Sequence, residues 1–148
     1  MKKNGQFTHT GQALVEFALV IPILLLLVVV IFDLSRAVYY TSVVHNAARE
    51  GARFGIIHPD NAVGMEDAAK SYAIGLGLAD TTVTAGLGAP EHMGGIDNPT
   101  VKVTVRYSFK PATPLVEQFL PVDSLCGCRQ ITLKGDAVMR TETLPETP

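Results

Sequence analysis

Twenty consecutive residues, Ala13 to Phe32, are apolar except for Glu16. At about 1.5 Å of rise per residue, such a run makes a helix of roughly 30 Å, the thickness of a bilayer's hydrocarbon core. The run therefore predicts a membrane-anchored protein with one span. The 148-residue chain leaves room for one small domain beside it. Glu16 is the residue to explain. A carboxylate near the middle of a span costs on the order of 2.5–3.5 kcal/mol. Near the entrance the cost is smaller. Two readings stand: Glu16 is a recognition or pairing charge, or it sits at headgroup level and caps the span.

The flanks suggest an orientation. Lys2 and Lys3 precede the run with no acid beside them, which favours a cytoplasmic N-terminus and an extracytoplasmic C-terminal domain. Arg36, Arg49 and Arg53 follow on the far side, but long domains cross largely regardless of charge. A secretory signal cut after Ala37 competes, because Ser35-Arg36-Ala37 has a small-x-small pattern. Against it, the apolar region exceeds the usual 7–15 or so residues of a signal, and helical patterning runs straight through that point. The net charge of −2 gives no electrostatic case for nucleic acid. Trp is absent, so the domain depends on aliphatic packing.

Pro22 lies inside the run and should kink the helix modestly. Asp33 and Arg36 can pair at i,i+3. No Gly or Pro interrupts Ile23 to Glu50, so the helix continues out of the membrane to about Phe54. Ala47, Gly51 and Gly55 recur at spacing four along it, and small residues there let another backbone come close. That face packs on the protein's own sheet or receives a helix from another subunit. His58-Pro59-Asp60-Asn61 breaks the helix. Met65, Ala68, Ala69, Tyr72, Ala73 and Leu76 then repeat at helical spacing, ending in Gly75-Leu76-Gly77. A short strand is expected around Thr82–Thr84, then a Gly/Pro-rich loop from Gly86 to Pro99. Val101, Val103, Val105, Tyr107 and Phe109 alternate with polar residues and predict a half-buried strand. Ile131, Leu133, Gly135, Ala137 and Met139 predict another. Pro111, Pro114 and Pro121 forbid a simple hairpin between them, and Leu115 to Leu120 reads as a short helical turn. The expected fold is α+β: a long N-terminal helix, a second helix and a two- to three-stranded antiparallel sheet. By segment, 1–11 is a basic leader, 12–32 the span, 33–57 the helix extension, 58–141 the extracytoplasmic domain and 142–148 a loose tail.

No catalytic constellation is visible. His9, His45, His58 and His92 are scattered without ligand spacing, and no nucleophile motif, phosphate loop or metal cluster is present. The reading is non-enzymatic, with no cofactor and no small-molecule substrate. Cys126 and Cys128 supply too few ligands for a structural zinc site. In an oxidising compartment a local Cys126–Cys128 bridge is expected, although so small a ring is strained. Pairing with a partner protein and free thiols are the alternatives.

A short basic leader, a Gly, four residues, a Glu and a long apolar helix together resemble a type IV prepilin. Gly11-Gln12-Ala13-Leu14-Val15-Glu16-Phe17-Ala18-Leu19-Val20-Ile21-Pro22 more closely resembles the TadE-like family of Tad (Flp) pilus assembly. Asn46-Ala47-Ala48-Arg49-Glu50-Gly51-Ala52-Arg53 resembles that family's second signature, and the two strand patterns resemble its C-terminal region, giving a pilin-like fold. The resemblance implies a minor, pseudopilin-like component without enzymatic activity. It also implies cleavage by a prepilin peptidase between Gly11 and Gln12. The implied partners are that peptidase, the membrane, other Tad pilus pseudopilins and the assembly platform. After cleavage the Gln12 amine, with a reference pKa of about 8, would be cationic and able to pair with Glu16. Cyclisation of an N-terminal Gln would abolish that charge. The competing function is a membrane-tethered binding module with no pilus role, resting on the Gly86–Pro99 loop.

Overall fold

The computed structural model describes residues 10–93, 96–113 and 130–141. The elements are α1 (Thr10–Ile57), α2 (Ala62–Gly75), β1 (Thr81–Leu87), β2 (Glu91–Met93), β3 (Ile96–Asn98), β4 (Thr100–Phe109) and β5 (Ile131–Arg140). The fold is α+β, as the patterning predicts. The expected turn at Leu115–Leu120, both cysteines, the tail after Thr141 and the leader up to His9 lie outside the described residues.

α1 is one helix of 48 residues, about 72 Å long, and it continues through Pro22. Its two halves differ completely. The apolar half stands bare, with its bulky residues from Leu14 to Phe32 exposed. The second half carries a buried stripe of Val44, Ala47, Ala48, Gly51, Ala52 and Gly55. The stripe keeps the i, i+3, i+4 rhythm of one helical face.

β4 is the middle strand of the sheet β1-β4-β5, and both of its pairings are antiparallel. It descends along α1. Its Val101 lies near Gly55, Val103 near Gly51, and Tyr107 and Phe109 near Tyr40. Val101, Val103 and Val105 are fully buried, as are Met65, Leu78 and Val44. Each such side chain contributes roughly 1.5–3 kcal/mol of burial, so the core is aliphatic, as the lack of Trp demands. On the other face of the sheet, Thr104 donates to Asp136 at 2.7 Å, and Lys134 reaches the same carboxylate at 2.7 Å.

α2 is set at both ends by local chemistry. The Asn61 side chain accepts from the Gly64 N–H at 2.8 Å, satisfying one of the helix's open donors. At the far end Gly77 has φ of +89°, and the Leu78 N–H returns to the Ala73 carbonyl at 3.0 Å. This is a Schellman closure, and the buried Leu78 seals it.

The stretch from Gly86 to Pro99 differs from expectation. β1 extends to Leu87, and β2 and β3 form an antiparallel hairpin inside the presumed loop. Thr100 Oγ1 donates to the Ala89 carbonyl at 2.7 Å, and Arg140 Nε meets Glu91 at 2.8 Å. These contacts fasten the hairpin to the top of the main sheet.

Candidate functional site

Three places along α1 hold the residues that the sequence singles out. The first is the entrance. Gly11 is the second residue of the helix, and nothing lies within 4 Å of where a Cβ would stand. No acid occupies the first turn. One turn on, Gln12 Nε2 donates to Glu16 Oε1 at 3.3 Å. The carboxylate thus has a neutral partner on its own helix, a contact that the reading of Glu16 against a free amine overlooked. The i,i+4 spacing was its available signal.

The second place is where the apolar run ends. Asp33, one residue after Phe32, is only 6% exposed. Its carboxylate accepts the backbone N–H groups of Ala112 and Thr113, each at 3.1 Å, and the Thr113 hydroxyl. The expected partner Arg36 stands 3.9 Å away, a longer contact than any of these. Arg36 instead lies over the rings of Tyr40 and Phe109, 5.6 and 5.8 Å from their centres. Tyr40 packs edge-on against Tyr107 and Phe109. The result is a collar in which a buried charge, an arginine and three aromatic rings tie the strand end to the helix. Hydrogen bonds to a charged group are worth about 1.5–3 kcal/mol each, so Asp33 is a strong fastening point. Its partners lie some eighty positions downstream in the chain, beyond the reach of local pattern reading.

The third place is the small-residue face. A Cβ on Gly51 would fall 2.7 Å from the Met65 carbonyl oxygen and 3.1 Å from Val103 Cγ1. A Cβ on Gly55 would fall 2.5 Å from Met65 Sδ and 3.0 Å from Val101 Cγ2. Ala47 is fully buried. α2 and β4 of the same chain therefore occupy this face. Asn46, Arg49 and Arg53 are exposed on the other side of α1, so the segment's small residues face the core and its polar residues face outward. Across the sheet Gly135 makes the same kind of approach, where a Cβ would fall 2.7 Å from the Val44 carbonyl oxygen.

The three places are strung along one helix and do not converge on a pocket. Among the described residues no group of three or more His, Cys, Asp or Glu could hold a metal ion. Among them one helix is long and apolar enough to cross a membrane, and its most apolar stretch is not buried in the domain.

No curated protein and no solved structure matches the chain. The model of the TadE family, described as TadE-like protein, matches residues 11–53. That range takes in the entrance, the collar's helical residues, and Ala47 and Gly51 of the small-residue face. Over residues 11–53 the chain is similar to TadE-like proteins.

Proposed function

We propose that the protein is a minor pseudopilin-like subunit of a Tad (Flp) pilus machine. The carrying observation is the contrast between the halves of α1. One half is built into an α+β domain. The other is an apolar rod that its own domain leaves uncovered. Such a rod needs lipid before assembly and neighbouring helices after it. The family match over that same helix supports the reading.

In this reading the N-terminus is cytoplasmic and the domain extracytoplasmic, and prepilin peptidase cuts between Gly11 and Gln12. The cut would make Gln12 the first residue of α1 and bring Glu16 within the new N-terminal turns. There a carboxylate gains from the helix dipole as well as from a cationic amine. Neither charge would then face lipid unpaired, and an amine offered by a neighbouring subunit would set the register between the two helices. The protein acts by binding and positioning, without catalysis.

The test is the mature N-terminus of the membrane-extracted protein, read by mass spectrometry. A chain beginning at Gln12, open or cyclised, supports processing, and an intact Met1 terminus rejects it. Deletion of the gene should abolish pili, and the protein should co-purify with other pilus components. Normal piliation on deletion rejects the assembly role.

A further inference from the structure

The collar fixes a depth as well as a contact. Asp33 directly follows the apolar run and holds the Ala112 and Thr113 amides at 3.1 Å. The chain just past β4 therefore lies level with the end of the span. At this level a cleft of about 180 Å³ opens between helix and sheet. Val30, Asp33, Leu34 and Ala37 line it on one side, and Phe109, Pro111 and Ile131 on the other. Its walls are almost wholly apolar. Val30 belongs to the apolar run itself, so the cleft reaches below the point where the span ends. Ile131 is 38% exposed at this end of β5. Lys110, between two lining residues, is exposed, and Arg36 stands one turn above Phe32.

We propose that the lower end of the sheet is sunk into the leaflet from which α1 emerges, and that a lipid's glycerol and upper-chain region fills this cleft. The inference rests on the span reading. If Ala13–Phe32 crosses the bilayer, Pro111 and Ile131 lie at the interfacial level. The covering partner follows from continuity, because Val30 both lines the cleft and stands exposed in the run that lipid would surround. Water finds almost no polar partners there, whereas acyl chains need none. Lys110 sits at the height where long basic side chains extend towards lipid phosphates. The domain is thus seated on the membrane by two kinds of contact, its helix and the foot of its sheet.

The natural chain has no Trp, so single-Trp variants give an unambiguous depth reading. Full-length protein carrying Ile131→Trp or Ala112→Trp is placed in phosphatidylcholine vesicles whose chains are brominated either near the glycerol or near the bilayer centre. Leu25→Trp reports the span, and Val63→Trp, at the exposed start of α2, reports the far end of the domain. Circular dichroism confirms folding, and the Ala112 variant keeps the backbone N–H that binds Asp33. The expected result is loss of emission at 131 and 112 with the shallow quencher, loss at 25 with the deep one, and none at 63. Quenching at 25 with positions 131 and 112 as bright as 63 overturns the proposal and leaves the span intact. An unquenched Leu25→Trp overturns the span reading and this proposal with it. A concentration-dependent blue shift at 131 without lipid quenching means that a second copy covers the cleft, which also overturns it.

Discussion

Replacing Gly51 by alanine tests the packing of α1 through the sign of its effect. In a solvated helix interior, Gly→Ala stabilises by about 0.8–1.0 kcal/mol, because alanine loses less backbone entropy. At Gly51 the new methyl would meet the Met65 carbonyl oxygen at 2.7 Å, Ala69 Cβ at 3.0 Å and Val103 Cγ1 at 3.1 Å. The first contact is with backbone, so no rotamer change relieves it; α2 itself must move away from α1. Overpacking of this kind costs about 1–3 kcal/mol. A clash this close to backbone belongs to the upper part of that range, about 2–3 kcal/mol, so against the propensity gain the net expectation is a loss of about 1–2 kcal/mol. For a domain near 100 residues that lowers Tm by about 5–10 °C. The assay is thermal unfolding of the full chain in mild detergent, followed by circular dichroism. Gly75→Ala is the control, since nothing lies within 4 Å of that position, and it should cause no loss. A Gly51→Ala protein as stable as the natural chain, or more so, would refute the close approach of α1 to α2 and β4.

Gly135→Ala should cost more, about 3 kcal/mol, because the three atoms nearest its methyl would all be α1 backbone, at 2.7–2.8 Å; the same melts measure it. Asp33→Asn keeps the shape but gives the Ala112 and Thr113 donors a poorer acceptor, with an expected loss of about 2 kcal/mol and faster hydrogen exchange at both amides. Asp136 sits below its ordinary value of 3.8, chiefly through its hydrogen bond with Lys134 and then through Thr104. A depressed carboxyl stabilises the fold above its unfolded value and loses that contribution as pH falls through its lower folded value. Thr104→Val should therefore move the Asp136 titration, followed by NMR, upward. Glu16→Gln retains a side-chain partner for Gln12 while removing the charge; processing should proceed and pili should fail to assemble, and piliated cells would reject the pairing model.

Local patterning in the sequence suffices for the elements built on strong periodicity. The Val101–Phe109 alternation marks β4, and the Met65–Ala73 spacing with Gly77 marks α2 and its end. The β2–β3 hairpin escapes such reading because three-residue strands set among Gly88, Pro90 and Pro99 carry no period long enough to detect. Their pairing depends on attachments such as Arg140 to Glu91, which are set by the finished sheet. At the collar, Arg36 was the visible partner for Asp33. The dominant partners belong to a loop brought there only when β4 descends along α1. Gly51 and Gly55 were legible as a site of close approach, but their spacing alone could not decide between the chain's own sheet and a second subunit's helix.

The uninterrupted α1 has a mechanical consequence. A flexible linker between anchor and domain would stretch before passing on any load. Here one hydrogen-bonded rod runs from Thr10 to Ile57, and the Asp33 clasp joins it to the sheet where the apolar run ends. A pull on the domain therefore becomes axial tension in the apolar half of α1 almost at once, and displacement at one end reappears at the other with little slack.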